Sequence, residues 1–430
     1  MDKQSIGIGL IGLGTIGTGV ARVLLEKREV LATLVGHPVH LHKIAEKDLR
    51  KRPAKIDPAL FTTDASEIIA DPGISIVIEL IGGENPARSF IARALEGGKS
   101  VVTANKEVMA KHGPELLALA NEHRVALRYE ASVGGGIPLI SPLQRDLAAN
   151  SFSSIHAIIN GTTNYILSKM SEEGTDFSVA LKQAQELGYA EADPTNDVEG
   201  IDATYKLAIM ATLAYHTVVR PADVYHEGIS RLTSKDFRYA KELGYAIKLL
   251  AIGKSSDDTL EARVHPVFIP DNSLLAKVNG VFNAVQIHGD LVGDLILYGR
   301  GAGAEATSSA VVADVVALAQ NIASGRGYMP VLLPRGKKTI KRITDIQTRY
   351  YLRMNVTDKP NVLAKISSVL GANNISISAV IQKEVDTRAQ TAEIVIMTHN
   401  ASEAGMQQAR GALEKLDVIK EINNIVRVEA

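Results

Sequence analysis

The first 130 residues alternate short apolar runs with longer stretches in which apolar side chains recur at helical spacing. The predicted strands lie at residues 5–11, 39–45, 74–81, 100–103 and 126–129, and the predicted helices at 18–34, 86–97 and 107–122. Strands that alternate with helices are typical of a parallel, doubly wound α/β sheet.

The pattern changes beyond residue 137. Predicted strands at 154–159 and 260–269 are separated by predicted helices at 164–170, 177–187, 201–214 and 235–249, which favours an α+β domain. An Ala- and Val-rich helix at 305–322 is expected to return to the first domain. We therefore predict a first domain of residues 1–137 plus 304–325, and a second of residues 138–303.

The C-terminal part forms a separate pattern. Gly, Pro and basic residues at 326–348 predict a linker. Residues 349–430 then follow a β-α-β-β-α-β order, which is typical of a ferredoxin-like fold.

Composition excludes several classes of function. The net charge of −1 argues against a general binder of nucleic-acid backbones, and the absence of cysteine excludes thiolate catalysis, disulfides and Cys-ligated metals. The N-terminus shows no signal-peptide pattern, and no apolar run reaches the roughly 18 residues of a membrane span. We expect a cytoplasmic protein that binds neither membranes nor nucleic acid.

A Gly-x-Gly-x-x-Gly motif joins the first predicted strand to the first predicted helix, at Gly12, Gly14 and Gly17. In this context the motif predicts a dinucleotide site, because the backbone can approach a pyrophosphate that rests on the helix N-terminus. The alternative is a plain glycine-rich turn.

The end of the second predicted strand bears on the choice of cofactor. Glu46 or Asp48 is placed to bind a ribose 2′-hydroxyl, as in NAD enzymes. Basic residues crowd the same place and suit a 2′-phosphate, so we predict a preference for NADP(H); they are Lys47, Arg50, Lys51 and Arg52. A solvated basic loop is the alternative.

Residues 188–206 concentrate five carboxylates and one lysine around Pro194 and Gly200. From residue 201 the pattern becomes helical, and Asp202 and Lys206 fall on one helix face because they are four residues apart. This arrangement suits a polar substrate pocket with a lysine tuned for proton transfer. A solvated acidic loop with a surface ion pair is the alternative.

Five motifs occur in an order that resembles homoserine dehydrogenase, in its long form with a C-terminal ACT domain. They are residues 12–17, 103–106, 130–138, 160–165 and 188–206. The resemblance covers essentially the whole chain. It implies NAD(P)H-dependent interconversion of L-aspartate 4-semialdehyde and L-homoserine, in the biosynthesis of threonine, methionine and isoleucine.

The resemblance also implies roles for individual residues. Lys206 is the proton donor and acceptor, assisted by Asp202 and Lys106. The residues implied to bind substrate are Glu191, Asp197, Asp202, Gly161 and Thr163. The residues implied to lie at the cofactor are Gly12, Gly14, Thr15, Ile16, Gly17, Thr103, Lys106, Gly188, Gly303 and Glu305. A monovalent cation, usually sodium, is implied at Glu130, Val133, Gly135 and Ile137, largely through backbone carbonyls.

The ACT unit departs from its usual pattern, because Asn361 and Asn374 stand where many members have glycine. Asn tolerates left-handed backbone angles, so we expect the fold to be kept. The resemblance implies an amino-acid effector, most simply threonine, between paired ACT domains, and a homodimer or homotetramer. An ACT unit that only dimerises the chain is the alternative.

Two other functions remain open from sequence. One is a Rossmann oxidoreductase that acts on another small amino or hydroxy acid. The other is a catalytically silent amino-acid sensor, which predicts loss of side chains that are in fact present, namely Lys106, Glu191, Asp202 and Lys206.

Overall fold

The computed structural model describes residues 5–325, 328, 330–386 and 389–429. The chain forms two compact units, one of residues 1–153, 205–222 and 283–337, and one of residues 154–204, 223–282 and 338–430. Part of the predicted linker, residues 326, 327 and 329, lies outside the described residues.

The first unit contains the predicted doubly wound domain. Its elements are β1 (Ile6–Ile11), α1 (Thr15–Glu26), α2 (Arg28–Val35), β2 (Val39–Ala45), β3 (Phe61–Thr62), α3 (Ala65–Ala70), β4 (Ile74–Glu79), α4 (Ala87–Glu96), β5 (Ser100–Thr103), α5 (Lys106–Glu122) and β6 (Leu127–Arg128). The six strands form a parallel sheet in the order β3-β2-β1-β4-β5-β6. The helix predicted at 18–34 is in fact two helices, because the backbone leaves helical geometry at Lys27.

Every residue of β1 is buried, as expected for a strand covered on both faces.

Twelve elements follow in the middle of the chain. They are β7 (Phe152–Ile158), α6 (Gly161–Glu173), α7 (Phe177–Glu186), α8 (Thr195–Val198), α9 (Ile201–Ala214), β8 (Tyr225–His226), α10 (Ser234–Glu242), β9 (Tyr245–Ser256), β10 (Thr259–Pro270), β11 (Phe282–Gly289), β12 (Gly293–Arg300) and α11 (Ala304–Ala323). Helix α11 shares the apolar core of the first unit with α1, through Val311, Val315, Val20 and Leu24.

Helix α11 is also long and apolar enough to cross a membrane by length and composition alone. This property was not expected from the sequence, because Glu305 and Asp314 interrupt the apolar run of the helix. The side chains of Val311, Val315 and Leu318 lie in the core of the first unit, and core helices of globular domains pass the same test.

The second unit is built on an antiparallel pair, β9 and β10, which are in register over 12 residue pairs; β7 pairs with the other edge of β9. The prediction of a helix over 235–249 was wrong in its second half. Helix α10 ends at Glu242, Gly244 adopts a φ of 78°, and the apolar run that follows is strand β9.

The C-terminal elements are β13 (Thr339–Ile340), β14 (Gln347–Thr357), α12 (Val362–Ala372), β15 (Ile377–Asp386), β16 (Thr391–Thr398), β17 (Ala401–Ser402), α13 (Glu403–Leu413) and β18 (Ile419–Val428). The four long strands and two helices confirm the ferredoxin-like order. Asn361 and Asn374 have φ values of 70° and 58°, so both take the left-handed conformation that glycine usually supplies.

The sheet of the second unit is continuous, in the order β7-β9-β10-β18-β14-β16-β15. The link is a short parallel pairing of β10 with β18, at Val267 with Arg427 and Phe268 with Val428. The last strand of the chain therefore joins the ferredoxin-like strands to those of the middle of the chain.

Candidate functional site

The glycine motif forms the turn between β1 and α1, and each glycine has a different steric reason. A Cβ on Gly17 would lie 2.1 Å from the carbonyl oxygen of Gly12, so only glycine allows the helix to approach the strand. Gly12 itself has a φ of 97°. Gly14 faces open space, with nothing within 4 Å of a Cβ, and the first turn of α1 holds no acidic residue. The exposed N-terminus of α1 therefore fits a pyrophosphate.

Glu46 follows β2 and is turned toward this loop. Its carboxylate accepts hydrogen bonds from the N–H of Leu13, at 2.9 Å, and from the N–H of Asp48, at 3.1 Å. Asp48 in turn binds the guanidinium of Arg50 through both oxygens, at 2.7 and 2.9 Å. Of the basic residues predicted here, Arg50 is therefore already paired, Lys47 is exposed, and the side chain of Lys51 lies outside the described residues.

The carboxyl end of β4 holds a buried acid that the sequence analysis missed. Glu79 is fully buried; it accepts hydrogen bonds from the hydroxyl of Thr103, at 2.7 Å, and from the N–H of Ile81, at 2.8 Å. Burial raises the pKa of the Glu79 carboxyl, against the effect of these hydrogen bonds. The hydroxyl of Thr103, a predicted cofactor residue, therefore donates its hydrogen bond to Glu79.

Lys106 begins helix α5, and the preceding residue fixes its backbone. Asn105 is the N-cap: its side chain accepts from the N–H of Val108, at 3.1 Å, and donates to the carbonyl of Gly83, at 2.7 Å. Lys106 is half-buried and is not free of partners.

In the second unit, Asn160 joins two of the predicted substrate acids. Its carboxamide nitrogen donates to Asp197, at 2.7 Å, and to Asp202, at 2.8 Å. Its carboxamide oxygen caps α6 by accepting from the N–H of Thr163, at 2.8 Å. The buried Asn160 side chain therefore holds two carboxylates from residues 188–206 at one point. The motif at 160–165 was noted from the sequence, but this role of Asn160 was not predicted. An asparagine directly before a predicted helix could have indicated the capping part of the role.

Helix α9 carries the two residues predicted to act in catalysis. Asp202 is 2% exposed and Lys206 is 9% exposed, so the ion-pair alternative at the surface is excluded for these two side chains. They lie one turn apart on the helix, as predicted. Both have interactions with neighbours.

Glu191 is not brought to this group. It is exposed, and its carboxylate makes no hydrogen bond or ion pair within the residues that the structure describes. Its loop is nevertheless anchored: the Thr162 hydroxyl donates to the carbonyl of Tyr189, at 2.7 Å, and the side chain of Gln185 donates to the carbonyl of Glu191, at 3.1 Å.

The remaining motif residues have structural partners. Thr163 is 1% exposed, and its hydroxyl lies 3.0 Å from the side-chain oxygen of Asn160. Gly161 is the first residue of α6. Asn164 donates to three backbone carbonyls at 3.0–3.1 Å, those of Val278, Gly280 and Phe282.

The predicted cation loop folds around the buried side chain of Glu130. That carboxylate accepts hydrogen bonds from the backbone N–H groups of Leu139, Ile140 and Ser141, at 2.6, 2.9 and 2.7 Å. The N–H of Glu130 donates to Asp314, at 2.9 Å, and burial raises the pKa of Asp314 to about 7. The Glu130 carboxylate is thus engaged by the backbone of its own loop, and the expected ligands for a cation are mainly backbone carbonyls.

The fit of a cation is supported by an unpartnered carboxamide nearby. Val133, Gly135 and Ile137 are buried, and a Cβ on Gly135 would lie 2.4 Å from the carbonyl oxygen of Gly301. Gly301 packs against Asn283, whose carboxamide is buried with no hydrogen-bond partner among the described residues. Within the same residues, no group of three or more His, Asp or Glu side chains is arranged to hold a metal.

The other predicted cofactor residues are exposed, apart from the half-buried Ile16. Gly188 and Gly303 have positive φ and open space around them, and Gly303 caps α11. Glu305, on the first turn of α11, lies 3.6 Å from the guanidinium of Arg22 on α1. Thr15 is exposed and Ile16 is half-buried at the start of α1.

Comparisons with known proteins identify the family of the chain and its domains. Residues 138–316 match the family described as homoserine dehydrogenase, residues 12–130 match its NAD-binding domain, and residues 350–418 match the ACT domain. The homoserine dehydrogenase of Neisseria gonorrhoeae is 42% identical over 432 residues, which cover 99% of each chain.

Solved structures show the same likeness. A homoserine dehydrogenase from Thiobacillus denitrificans has 41% identity and a TM-score of 0.92, over 99% of this chain and 98% of that one. A hyperthermophilic archaeal homoserine dehydrogenase mutant in complex with NADPH has 27% identity and a TM-score of 0.62, over 73% of this chain and 97% of that one. With a family match to both catalytic parts and relatives above 40% identity over its whole length, the chain belongs to the homoserine dehydrogenase family, in the form that carries a C-terminal ACT domain.

Proposed function

We propose that Lys206 transfers the proton in the reversible reduction of L-aspartate 4-semialdehyde to L-homoserine, in threonine, methionine and isoleucine biosynthesis. The observation that carries this proposal is the burial of Asp202 and Lys206 one turn apart on α9, with Asp202 fixed by Asn160. NAD(P)H, when bound, supplies the hydride. As the carbonyl carbon is reduced, Lys206 gives a proton to the developing alkoxide, and it takes that proton back in the reverse direction.

The acids of residues 188–206 bind the α-ammonium group of the substrate. Asp197 is held in place by Asn160, and Glu191 is exposed and unpaired within the described residues, so both can accept from a cation. Lys106, fixed by the Asn105 cap, completes the catalytic set by orienting the substrate. These groups fit an amino-acid substrate better than a hydroxy acid, which lacks the ammonium.

The test compares Lys206→Met with Lys182→Met, a matched change at a lysine whose side chain is 77% exposed. We expect Lys206→Met to lower kcat by roughly 10²–10⁴-fold, because the general acid is lost. NADPH binding, followed by fluorescence, should persist and shows that the variant is folded. Near-normal turnover by Lys206→Met would reject the assignment, and Lys182→Met should match the unmodified enzyme.

We also propose that NADP(H) is favoured over NAD(H). Lys47 is exposed and directly follows Glu46, which accepts from the N–H of Leu13 in the glycine loop, and the similar archaeal enzyme was solved with NADPH. Glu46 opposes the preference, since its carboxylate lies where NAD enzymes place an acid. Lys47→Glu should weaken NADPH binding far more than NADH binding; equal kcat/KM for the two cofactors in the unmodified enzyme would contradict the preference.

For the loop of residues 130–137 we propose a bound sodium ion, held by backbone carbonyls of Glu130, Val133, Gly135 and Ile137. Its role is to rigidify the loop. Two observations support it: the loop folds around the Glu130 carboxylate, and the buried Asn283 carboxamide has no hydrogen-bond partner among the described residues. The melting temperature should rise in NaCl relative to choline chloride at equal ionic strength, and no difference would argue against the ion.

Finally, we propose a cytoplasmic homodimer or homotetramer that is inhibited by threonine through the ACT domain. The ferredoxin-like fold and the match to the ACT domain support regulation by an amino acid. Light scattering gives the oligomeric state, and a titration of threonine into the full-length enzyme, with initial rates measured, tests the inhibition.

A further inference from the structure

The order of the strands places a crevice at the carboxyl edge of the parallel sheet. The chain runs outward from β1 to β2 and β3 and then returns to β4, on the other side of β1. In open α/β sheets, ligands bind at such a point of reversal, outside the carboxyl ends of the two strands. One wall of this crevice is the glycine turn after β1. The other wall is residues 80–84, the β4 loop, which directly follow β4.

The β4 loop lies against the glycine turn, and its backbone is open to solvent. A Cβ on Gly12 would lie 2.9 Å from the carbonyl oxygen of Leu80, so the two walls are in contact at their base. Gly82 and Gly83 are exposed, with φ values of 73° and 68°, and a Cβ on either would meet nothing within 4 Å. A ligand can therefore approach the backbone of the β4 loop closely.

The buried side chain of Glu79 joins this loop to the next strand of the sheet. One carboxyl oxygen accepts from the N–H of Ile81, at 2.8 Å, and the other accepts from the hydroxyl of Thr103, at 2.7 Å. The oxygen of that hydroxyl accepts in turn from the N–H of Asn105, at 3.0 Å. Glu79 therefore connects the start of the β4 loop to the turn between β5 and α5.

Two further contacts join the β4 loop to helix α5. The side chain of Asn105, the N-cap of this helix, donates to the carbonyl of Gly83, at 2.7 Å. At the end of the loop, the carboxylate of Glu84 accepts from the ammonium of Lys111, at 2.8 Å. The β4 loop and the start of α5, where Lys106 is the first residue, therefore form one hydrogen-bonded group.

Glu79 is out of keeping with the strand that carries it. The preceding residues Val77 and Ile78 are buried and apolar, and Glu79 is itself 0% exposed. No lysine, arginine or histidine among the described residues forms an ion pair with it. Burial of a carboxyl group without a cation costs free energy, and such departures from the apolar pattern of a core are expected at functional sites.

We infer that Glu79 is a positioning residue, which sets the β4 loop as the second wall of the dinucleotide crevice and fixes the backbone of Lys106. It acts through its two hydrogen-bonded connections, to the N–H of Ile81 and to the hydroxyl of Thr103, and makes no contact with substrate. The inference rests on the proposed roles of the glycine turn and of Lys106.

The experiment compares two changes at one position. Glu79→Leu fills a similar volume but makes neither connection, so the NADPH Kd should rise by roughly tenfold or more, and kcat at saturating cofactor should fall by a similar factor. Glu79→Gln should recover most of both losses. Its amide oxygen can accept from the N–H of Ile81, and its amide nitrogen can donate to the oxygen of Thr103.

Fluorescence titration gives the NADPH Kd, and steady-state kinetics gives kcat. The control is Glu96→Gln, the same change at an exposed acid at the end of α4, which should alter neither quantity. Circular dichroism shows that each variant is folded at the temperature of the measurements.

Three results would overturn the inference. The first is an unchanged NADPH Kd in folded Glu79→Leu, even with a lower melting temperature, because the carboxyl group would then have a merely structural role. The second is an equal loss in Glu79→Gln and Glu79→Leu, which would mean that Glu79 acts through its charge. If Glu79→Leu does not fold, Thr103→Val removes the same connection from its other end, and an unchanged Kd there is the third.

Lys106→Met tests the proposed role of that lysine separately. Unchanged kcat in this variant would reject the role of Lys106, while the NADPH Kd of Glu79→Leu would still decide whether Glu79 positions the β4 loop.

Discussion

At the scale of single residues, two asparagines of one motif have different tasks. Asn160 joins two acids that we propose to bind substrate, whereas Asn164 donates to three backbone carbonyls of residues 278–282. A motif of two identical residue types thus combines a proposed binding function with a structural one. Sequence alone does not distinguish them, because their partners lie 37 to 118 positions away.

This difference predicts a contrast between two matched variants. Asn160→Asp puts a third carboxylate against Asp197 and Asp202, so we expect kcat/KM for homoserine to fall by tenfold or more through like-charge repulsion. Asn164→Asp removes the donor to three carbonyls, so we expect mainly a lower melting temperature. Steady-state kinetics and calorimetry on both variants test the contrast. Similar kinetic losses in the two would contradict it.

The buried side chain of Lys248 should make the free energy of unfolding depend on pH. It is buried; its ammonium donates to the side chain of Asn279, at 2.8 Å, and to the carbonyl of Val278, at 2.5 Å. Burial lowers the pKa of Lys248 to about 8. The unfolded chain therefore binds more protons between pH 8 and 10.5, and the free energy of unfolding should rise with pH across this window.

The shift corresponds to about 3 kcal/mol at most. Denaturant unfolding at pH 8, 9 and 10 measures it, with Lys248→Met as the reference that lacks the titrating group. The difference in stability between the two proteins should change by an amount of this order in favour of the unmodified chain as pH rises. A difference that stays constant with pH would show that Lys248 has an ordinary pKa.

At the scale of elements, two glycines at the junction of β1 and α1 allow effects on stability to be distinguished from effects on cofactor binding. Gly17→Ala would place a methyl group 2.1 Å from the Gly12 carbonyl, so α1 must move, at a cost of roughly 1–3 kcal/mol. Gly14→Ala meets nothing within 4 Å and should leave the melting temperature unchanged. Its methyl group nevertheless enters the space proposed for the pyrophosphate.

We therefore expect both variants to lose NADPH affinity and only Gly17→Ala to lose stability. Fluorescence titration and calorimetry give the two quantities separately. Unchanged affinity in Gly14→Ala would show that the pyrophosphate does not lie above this turn.

Helices and strands could be predicted where the residues that determine them lie close together in the sequence. The strands, the glycine turn and the helix at 201–214 follow from runs and spacings that the chain carries within a few residues. The helix predicted at 235–249 failed beyond Gly244, because the apolar run there, including Ile247 and Ile252, suits either structure and its pairing with β10 decides. The joining of Asn160 to Asp202, 42 positions apart, was likewise invisible in the sequence.

At the scale of the whole molecule, buried ion pairs join the ACT unit to the middle of the chain. Arg353 of β14 binds Asp236 of α10, at 2.8 Å, and Glu393 of β16, at 3.1 Å, and all three side chains are at most 4% exposed. Removing the cation would leave the Asp236 carboxylate buried without an ion pair among the described residues, whereas Glu393 would keep the ammonium of Lys235, at 3.2 Å.

Arg353→Met should therefore lower the free energy of unfolding by about 3–5 kcal/mol. Arg342→Met, which breaks the exposed pair with Asp345, should leave the free energy of unfolding nearly unchanged, because solvent screens that pair. Urea denaturation of the two variants measures both values. Equal effects would mean that the buried pair adds no more to stability than an ordinary surface pair.

The place of β18 after the other strands of its part of the sheet has a consequence for biosynthesis of the protein. Within the described residues, strands β14, β16 and β15 reach β10 through β18, and the ribosome makes β18 after all of them. A nascent chain, or a chain terminated before residue 419, therefore exposes unpaired strand edges, which attract other chains. Such termination should give aggregation and proteolysis rather than an active enzyme that merely lacks the ACT domain, because the ten residues of β18 hold the two parts of the sheet together.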